Sequence, residues 1–169
     1  MPDIRDRVKE LRRVPASSLR PSPRNWRTHP KAQTDALRGV LAEIGFADAL
    51  LVRETPEGLE LVDGHLRAAE MGDALVPVLV LDLDEEEAGK LLLTLDPLAG
   101  MAEANKDSLT ALLESVRFQD GAVNQMLATL AQNAGIKPPE FQPVGIEEQG
   151  RLDEKAKVTC PECGHEFTP

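Results

Sequence analysis

Asp63-Gly64-His65-Leu66-Arg67 brings a carboxylate, a glycine, an imidazole and a guanidinium into one short stretch. Leu61-Val62 precede it and Ala68-Ala69 follow, so it reads as a strand turning through glycine into a short helix. Free backbone N–H groups at such a helix start attract anions, and a glycine lets the backbone come close to them. His65 and Arg67 add donors, the guanidinium as a bidentate fork suited to phosphate. Asp63 and His65 are also candidates for acid/base work or for holding a metal. Plainer accounts stand beside these. Gly64 makes a tight turn, Arg67 pairs with a neighbouring carboxylate, and Asp63 caps the following helix.

A second stretch supports the anion reading. Leu19-Arg20-Pro21-Ser22-Pro23-Arg24-Asn25-Trp26-Arg27-Thr28-His29 is a proline-stiffened loop loaded with basic and polar side chains. A stiffened loop loses less entropy on ordering around a ligand. It holds the single Trp of the chain, which serves either as a plug into the core or as a stacking surface for a base.

The third chemical feature is Cys160-Pro161-Glu162-Cys163-Gly164-His165, which looks like one knuckle of a zinc ribbon. The turn aims two thiolates at one metal, and His165 is a candidate third ligand. Zinc takes four ligands, so the site is completed by a second chain, which would make it a homodimer contact, or by a partner. The alternative is a tail with two free thiols. These two are the only cysteines, an arrangement unlike a secreted disulfide scaffold.

The elements that must position these residues are short. The chain has 169 residues, 41% hydrophobic and 28% charged, which suits one compact domain with a tail. No apolar run approaches the length of a membrane span, and the opening residues are charged rather than signal-like, so a cytoplasmic or nucleoid-associated protein is expected. Residues 1–38 carry ten Lys/Arg against four Asp/Glu, whereas residues 39–169 carry nine against twenty-five. A basic segment on an acidic body offers either a local phosphate-binding face or a solvated, solubilising terminus.

Residues 1–13 read as a charged helix or frayed arm, and Val14–Leu19 as a strand. Ala36, Leu37, Val40, Leu41 and Ile44 recur at helical spacing across 31–44. Residues 49–53 and 59–62 suit two strands around a turn at Pro56 and Gly58. A short helix over 64–71 and a buried strand over 76–81 follow, then a helix over 84–95 and a loop at 96–105. Helical stretches at 106–116 and 121–134 precede a linker rich in proline and glycine. The fold class is α+β: a small core of short strands and helices over 14–117, a helical extension over 118–134, a linker over 135–157 and a tail over 158–169.

Taken in order, Leu19–His29 and Val62–Ala69 resemble the two boxes of the ParB N-terminal domain, within the ParB/sulfiredoxin superfamily. The intervening Ile44-Gly45-Phe46 and Leu50–Val52, and Val76-Pro77-Val78 beyond, fit the same pattern. Glu85-Glu86-Glu87-Ala88 followed by Leu95-Asp96-Pro97-Leu98 resembles ParB-like proteins of phages and mobile elements. The resemblance covers about residues 14–117 and implies a short mixed sheet with helices around a nucleotide, CTP or ATP with magnesium. Transferred by position, Gly64, His65 and Arg67 would hold the phosphates, and Asn25 and Arg27 would close over the nucleotide.

The departures are informative. The glycine–Glu–Arg–Arg signature of chromosomal ParB is here Gly64-His65-Leu66-Arg67, with one arginine and no glutamate. The cysteine that sulfiredoxins need is absent, which excludes sulfinic-acid reduction. Residues 106–134 are too short and too acidic for a ParB-style helix-turn-helix. The leading expectation is a nucleotide-switched accessory protein associated with DNA, through its basic N-terminal region or a partner. The others are a nucleotide-dependent kinase, triphosphatase or nuclease using Asp63 and His65, and a non-catalytic module partnering a DNA methyltransferase.

Overall fold

A computed structural model of the chain describes residues 4–136 and two short strands, Val158–Thr159 and Glu166–Phe167. They belong to two units, Met1–Ile136 and Lys137–Pro169.

The first unit is an α+β fold on a four-stranded mixed sheet. Strands β2 (Leu50–Thr55) and β3 (Gly58–Asp63) form the hairpin expected from Pro56 and Gly58, with Thr55 opposite Gly58. Strand β4 (Leu75–Leu81) lies parallel to β2, Leu50 beside Val78 and Val52 beside Val80. On its other side β4 pairs antiparallel with β1 (Val8–Pro15), Val14 opposite Val76, giving the order β1-β4-β2-β3.

Alternation along the strands feeds both faces. Leu50, Val52, Leu61, Val76, Val78 and Val80 are buried with Ala68 of helix α2 (His65–Met71), and Met71 packs against them. Their neighbours Leu51 and Val62 turn the other way, onto Ala88, Leu91 and Leu92 of helix α3 (Glu85–Gly100). The site therefore sits on a sheet clamped between a short helix and a long one.

Two sequence expectations are corrected. The charged segment read as a helix or arm is strand β1. Its apolar residues gave no strand signal because it is an edge: Val8 and Leu11 are exposed, and charged side chains dominate, as they commonly do on free edges. Helix α3 begins as expected with a capping box, in which Asp84 accepts from the Glu87 N–H at 2.8 Å and Glu87 accepts from the Asp84 N–H at 3.1 Å. It then continues through Pro97 rather than yielding to a loop. Proline removes the N–H that would bond the Leu93 carbonyl, and Leu93 lies on an exposed stretch where water can serve that carbonyl.

Helix α1 (Lys31–Glu43) carries the extension. Helix α4 (Lys106–Ser115) leads into α5 (Gly121–Asn133), and α5 docks on α1 where Gly39 leaves room: a Cβ there would lie 2.5 Å from the Asp120 carboxyl carbon. Glu43 accepts from the N–H groups of Gln119 and Asp120, both at 2.8 Å. Residues 118–134 thus belong to the same unit as the core.

The charge asymmetry resolves into pairs. Of the basic residues in 1–38, all but Arg13 lie within ion-pair distance of a carboxylate, mostly in the acidic body. Lys9 reaches Glu54 at 2.8 Å, Arg20 reaches Glu57 at 3.0 Å, and Arg7 holds Glu87 and the Asp82 carbonyl. Of the two readings of this charge, neither stands alone: the basic residues are engaged in ion pairs, most of them exposed.

No helix among the described residues is long and apolar enough to cross a membrane. In the second unit Val158 pairs with Phe167 and Thr159 with Glu166, antiparallel. Cys160, Cys163 and His165, most of the 135–157 linker and residues 1–3 lie outside the described residues.

Candidate functional site

Strand β3 ends at Asp63, and the chain turns into α2 through Gly64 at φ +93°. Only glycine fits there: the conformation is left-handed, and a Cβ would lie 2.4 Å from Cδ2 of the fully buried Leu50. The turn starts α2 at His65, with no side-chain cap; Gly64 O accepts the Ala68 N–H at 2.9 Å. The suggestion that Asp63 caps this helix is therefore corrected. Its carboxylate joins two arginines instead, Arg27 Nη1 donating to Oδ1 at 3.2 Å and Arg67 Nη2 to Oδ2 at 2.9 Å.

The loop that brings Arg27 is fastened along one stripe of α3. Arg24 donates to the Glu85 carbonyl at 2.9 Å and lies over Gly89, where a Cβ would be 2.8 Å from its guanidinium. Trp26 Nε1 donates to the Leu92 carbonyl at 3.3 Å, and Arg27 Nε is paired with Asp96. Positions 85, 89, 92 and 96 share one helix face. Trp26 is 56% exposed, so it is no core plug; its edge is anchored while the Arg27 guanidinium lies 5.4 Å from its ring centre.

These residues line a cleft of about 710 Å³. Asp63, Gly64, His65 and Arg67 form one wall, Trp26 to His29 another, and Ala36, Leu37 and Val40 of α1 with Met126 of α5 supply an apolar side. Five expected site residues (Arg27, Asp63, Gly64, His65 and Arg67) thus meet in one place. Asn25 is not among the lining residues: its Oδ1 accepts the Arg27 N–H at 3.3 Å and shapes the loop.

His65 is held by the loop. Its Nε2 accepts the Ser22 backbone N–H at 3.1 Å, which puts the ring proton on Nδ1. Burial pushes its pKa below the usual histidine range, helped by the nearby Arg27 and His29 and opposed by Asp63 and Glu60. Nδ1 is buried without a partner, as is Nη2 of Arg27. Arg27 Nε is close to Asp96 yet misaligned for a hydrogen bond. Arg67 is half-buried, its pKa lowered by desolvation, and Nη1 is paired with Asp48. Buried donors lacking acceptors are uncommon and costly, and both residues line the cleft.

Three residues were not singled out in the sequence: Asp48, Asp96 and Ser22. Ser22 and Asp96 lie in the Leu19–His29 and Leu95–Leu98 stretches that carry part of the resemblance; Asp48 has no local signal. Among the described residues no group of three or more His, Cys, Asp or Glu is arranged to hold a metal, so Asp63 and His65 have no third ligand here.

No protein-family model and no curated protein sequence matches the chain. Solved structures do. The C-terminally truncated chromosome-partitioning protein ParB from Caulobacter crescentus, complexed with CTP-gamma-S, superposes with a TM-score of 0.51 at 24% identity, over 76% of this chain and 72% of that one. The fold is ParB-like. The same Caulobacter protein complexed to the centromeric parS site gives a TM-score of 0.44 at 20% identity, over 73% and 68% of the two chains. A Pnob8-like ParB-N domain gives 0.46 at 16%, over 98% and 59%. The ParB-like fold agrees with the sequence resemblance and with an α+β architecture.

Proposed function

We propose that the cleft binds a nucleoside triphosphate, CTP or ATP with magnesium, and that the protein is a nucleotide-switched accessory factor working with DNA in the cytoplasm. One observation carries the reading: two arginines on different elements converge on Asp63 beside buried, partnerless donors on Arg27 and His65. Phosphate oxygens are the natural acceptors for guanidiniums that line such a cleft. The apolar wall of Ala36, Leu37 and Val40 and the exposed ring of Trp26 suit a nucleoside. The likeness in fold to a ParB crystallised with CTP-gamma-S supports the same ligand class.

The switch follows from the loop. Arg27 reaches the ligand only while Arg24 and Trp26 hold the loop to α3, so occupancy of the cleft biases the loop's order. Because the basic residues near the N-terminus are already ion-paired, DNA association through a partner or an assembled dimer fits better than direct contact through that segment. Asp63 and His65 serve as positioning groups: both Asp63 oxygens and His65 Nε2 are engaged.

Calorimetric titration of the full chain with CTP, ATP and GTP plus magnesium tests this. One nucleotide is expected to bind saturably and Arg67→Ala to lose it; absence of binding to all three overturns the reading. Retention of labelled DNA with and without that nucleotide then tests the switch.

A further inference from the structure

We propose that Asp48 and Asp96 are built-in competitors of the anionic ligand, paired with the two arginines of the cleft and setting how much negative charge a ligand must bring to enter. The inference rests on the reading of the cleft as a nucleotide site and concerns its regulation.

The geometry is asymmetric in burial. The side chains of Arg27 and Arg67 are 12% and 23% exposed, while those of Asp96 and Asp48 are 56% and 62% exposed. The arginines are thus fixed parts of the wall. Asp96 reaches into the cleft from α3, while Asp48, in the segment between α1 and β2, is not a lining residue and engages the cleft through Arg67 Nη1. Asp63 is different. It is 22% exposed, belongs to the strand end, and pairs with both guanidiniums.

Three carboxylates therefore face two guanidiniums, and His65 adds no charge while it is neutral. An incoming anion meets a cluster that is already over-compensated. To engage Arg67 Nη1 or Arg27 Nε it must replace a rim carboxylate that is tethered and so has no association entropy to lose. A monoanion offers too little in exchange. A triphosphate brings several acceptors at once and can displace both rim groups, whose exposure lets them swing into water at small cost. The rim aspartates thereby select for polyphosphate and keep the arginines quiet without it.

The test is titration of the full chain with CTP, ATP and inorganic triphosphate, each with magnesium, for wild type, Asp48→Asn, Asp96→Asn, the double Asn variant and Arg67→Ala. An exposed ion pair is worth up to about 1 kcal/mol, so each Asn variant is expected to bind about twofold to fivefold tighter. The double variant should gain more and should admit monophosphates that wild type rejects. Both positions are exposed and the substitution keeps shape, so thermal unfolding should show intact folding. If wild type binds, Arg67→Ala loses binding and the Asn variants do not tighten, the competitor role is wrong and the nucleotide site stands. If neither wild type nor the double variant binds triphosphate, both fall.

Discussion

The β3–α2 turn and the proline-stiffened loop each deliver an arginine to Asp63, but by different means. Arg67 is placed by covalent geometry, four residues after Asp63 across a turn only glycine can make. Arg27 is placed by side-chain fasteners: Arg24 on the Glu85 carbonyl, Trp26 on the Leu92 carbonyl, and the Ser22 N–H on His65. The turn is bonded into the sheet and cannot relax without disturbing Leu50. The loop is bonded to the sheet only at its start, through Leu19 and Arg20, and residues 22–29 rest on these side-chain contacts. A two-part site with one fixed and one releasable half is what ligand-dependent ordering requires.

The strongest way to break this contrast is Gly64→Ala. Left-handed backbone plus a Cβ inside the Leu50 side chain should remove about 2–4 kcal/mol of global stability, read by urea unfolding. A loss below about 1 kcal/mol would show the turn to be as adaptable as the loop. Next is Trp26→Ala. It deletes one hydrogen bond and a partly exposed ring, with an expected global loss of about 1 kcal/mol. Amide exchange in residues 22–29 should rise far more than in β2 or β4, and uniform exchange would erase the distinction.

Acidification addresses the same fastener. Burial depresses the folded-state pKa of His65, so the unfolded chain binds the proton more readily. Stability present at neutral pH should fall as pH drops below the ordinary histidine value of about 6.5 and should level out below the lowered native value. Protonation also removes the Nε2 acceptor, so the Ser22 amide should lose protection first. A His65→Gln variant should lack this component of the pH profile. The smallest effect is expected from Arg24→Ala. It has an exposed guanidinium and one carbonyl contact, so about 0.5–1 kcal/mol or less should be lost, measured against wild type in the same unfolding assay.

Much of this cleft is legible in the sequence. The apolar spacing of Ala36, Leu37, Val40 and Leu41 marked α1, Pro56 and Gly58 marked the hairpin, and Gly64 with His65 and Arg67 marked the cleft. Those are local signals, written within a turn or two of chain. The hidden parts share a physical character: they depend on partners far away in sequence. Strand β1 is recognisable only once its pairing with β4 is known, because its own side chains are those of a charged edge. Asp48, Asp96 and Ser22 are ordinary polar residues until Arg67, Arg27 and His65 come to meet them. The partners of the N-terminal basic charge are hidden for the same reason, since most of its counter-charges lie far along the chain, in the β2–β3 hairpin, α2 and α3.

The strand order carries a consequence in time. Because β1 pairs with β4 and with no strand nearer in sequence, the first strand leaving a ribosome has no mate until the last strand of the sheet has been synthesised. The β2–β3 hairpin can close early by a short loop, whereas joining β1 to β4 closes the longest loop of the sheet and comes late. A nascent chain halted before Leu75 would expose Val8–Pro15 to proteases and chaperones. The dense charge of that segment then has a second use, in keeping an unmated strand from pairing with its neighbours on the polysome.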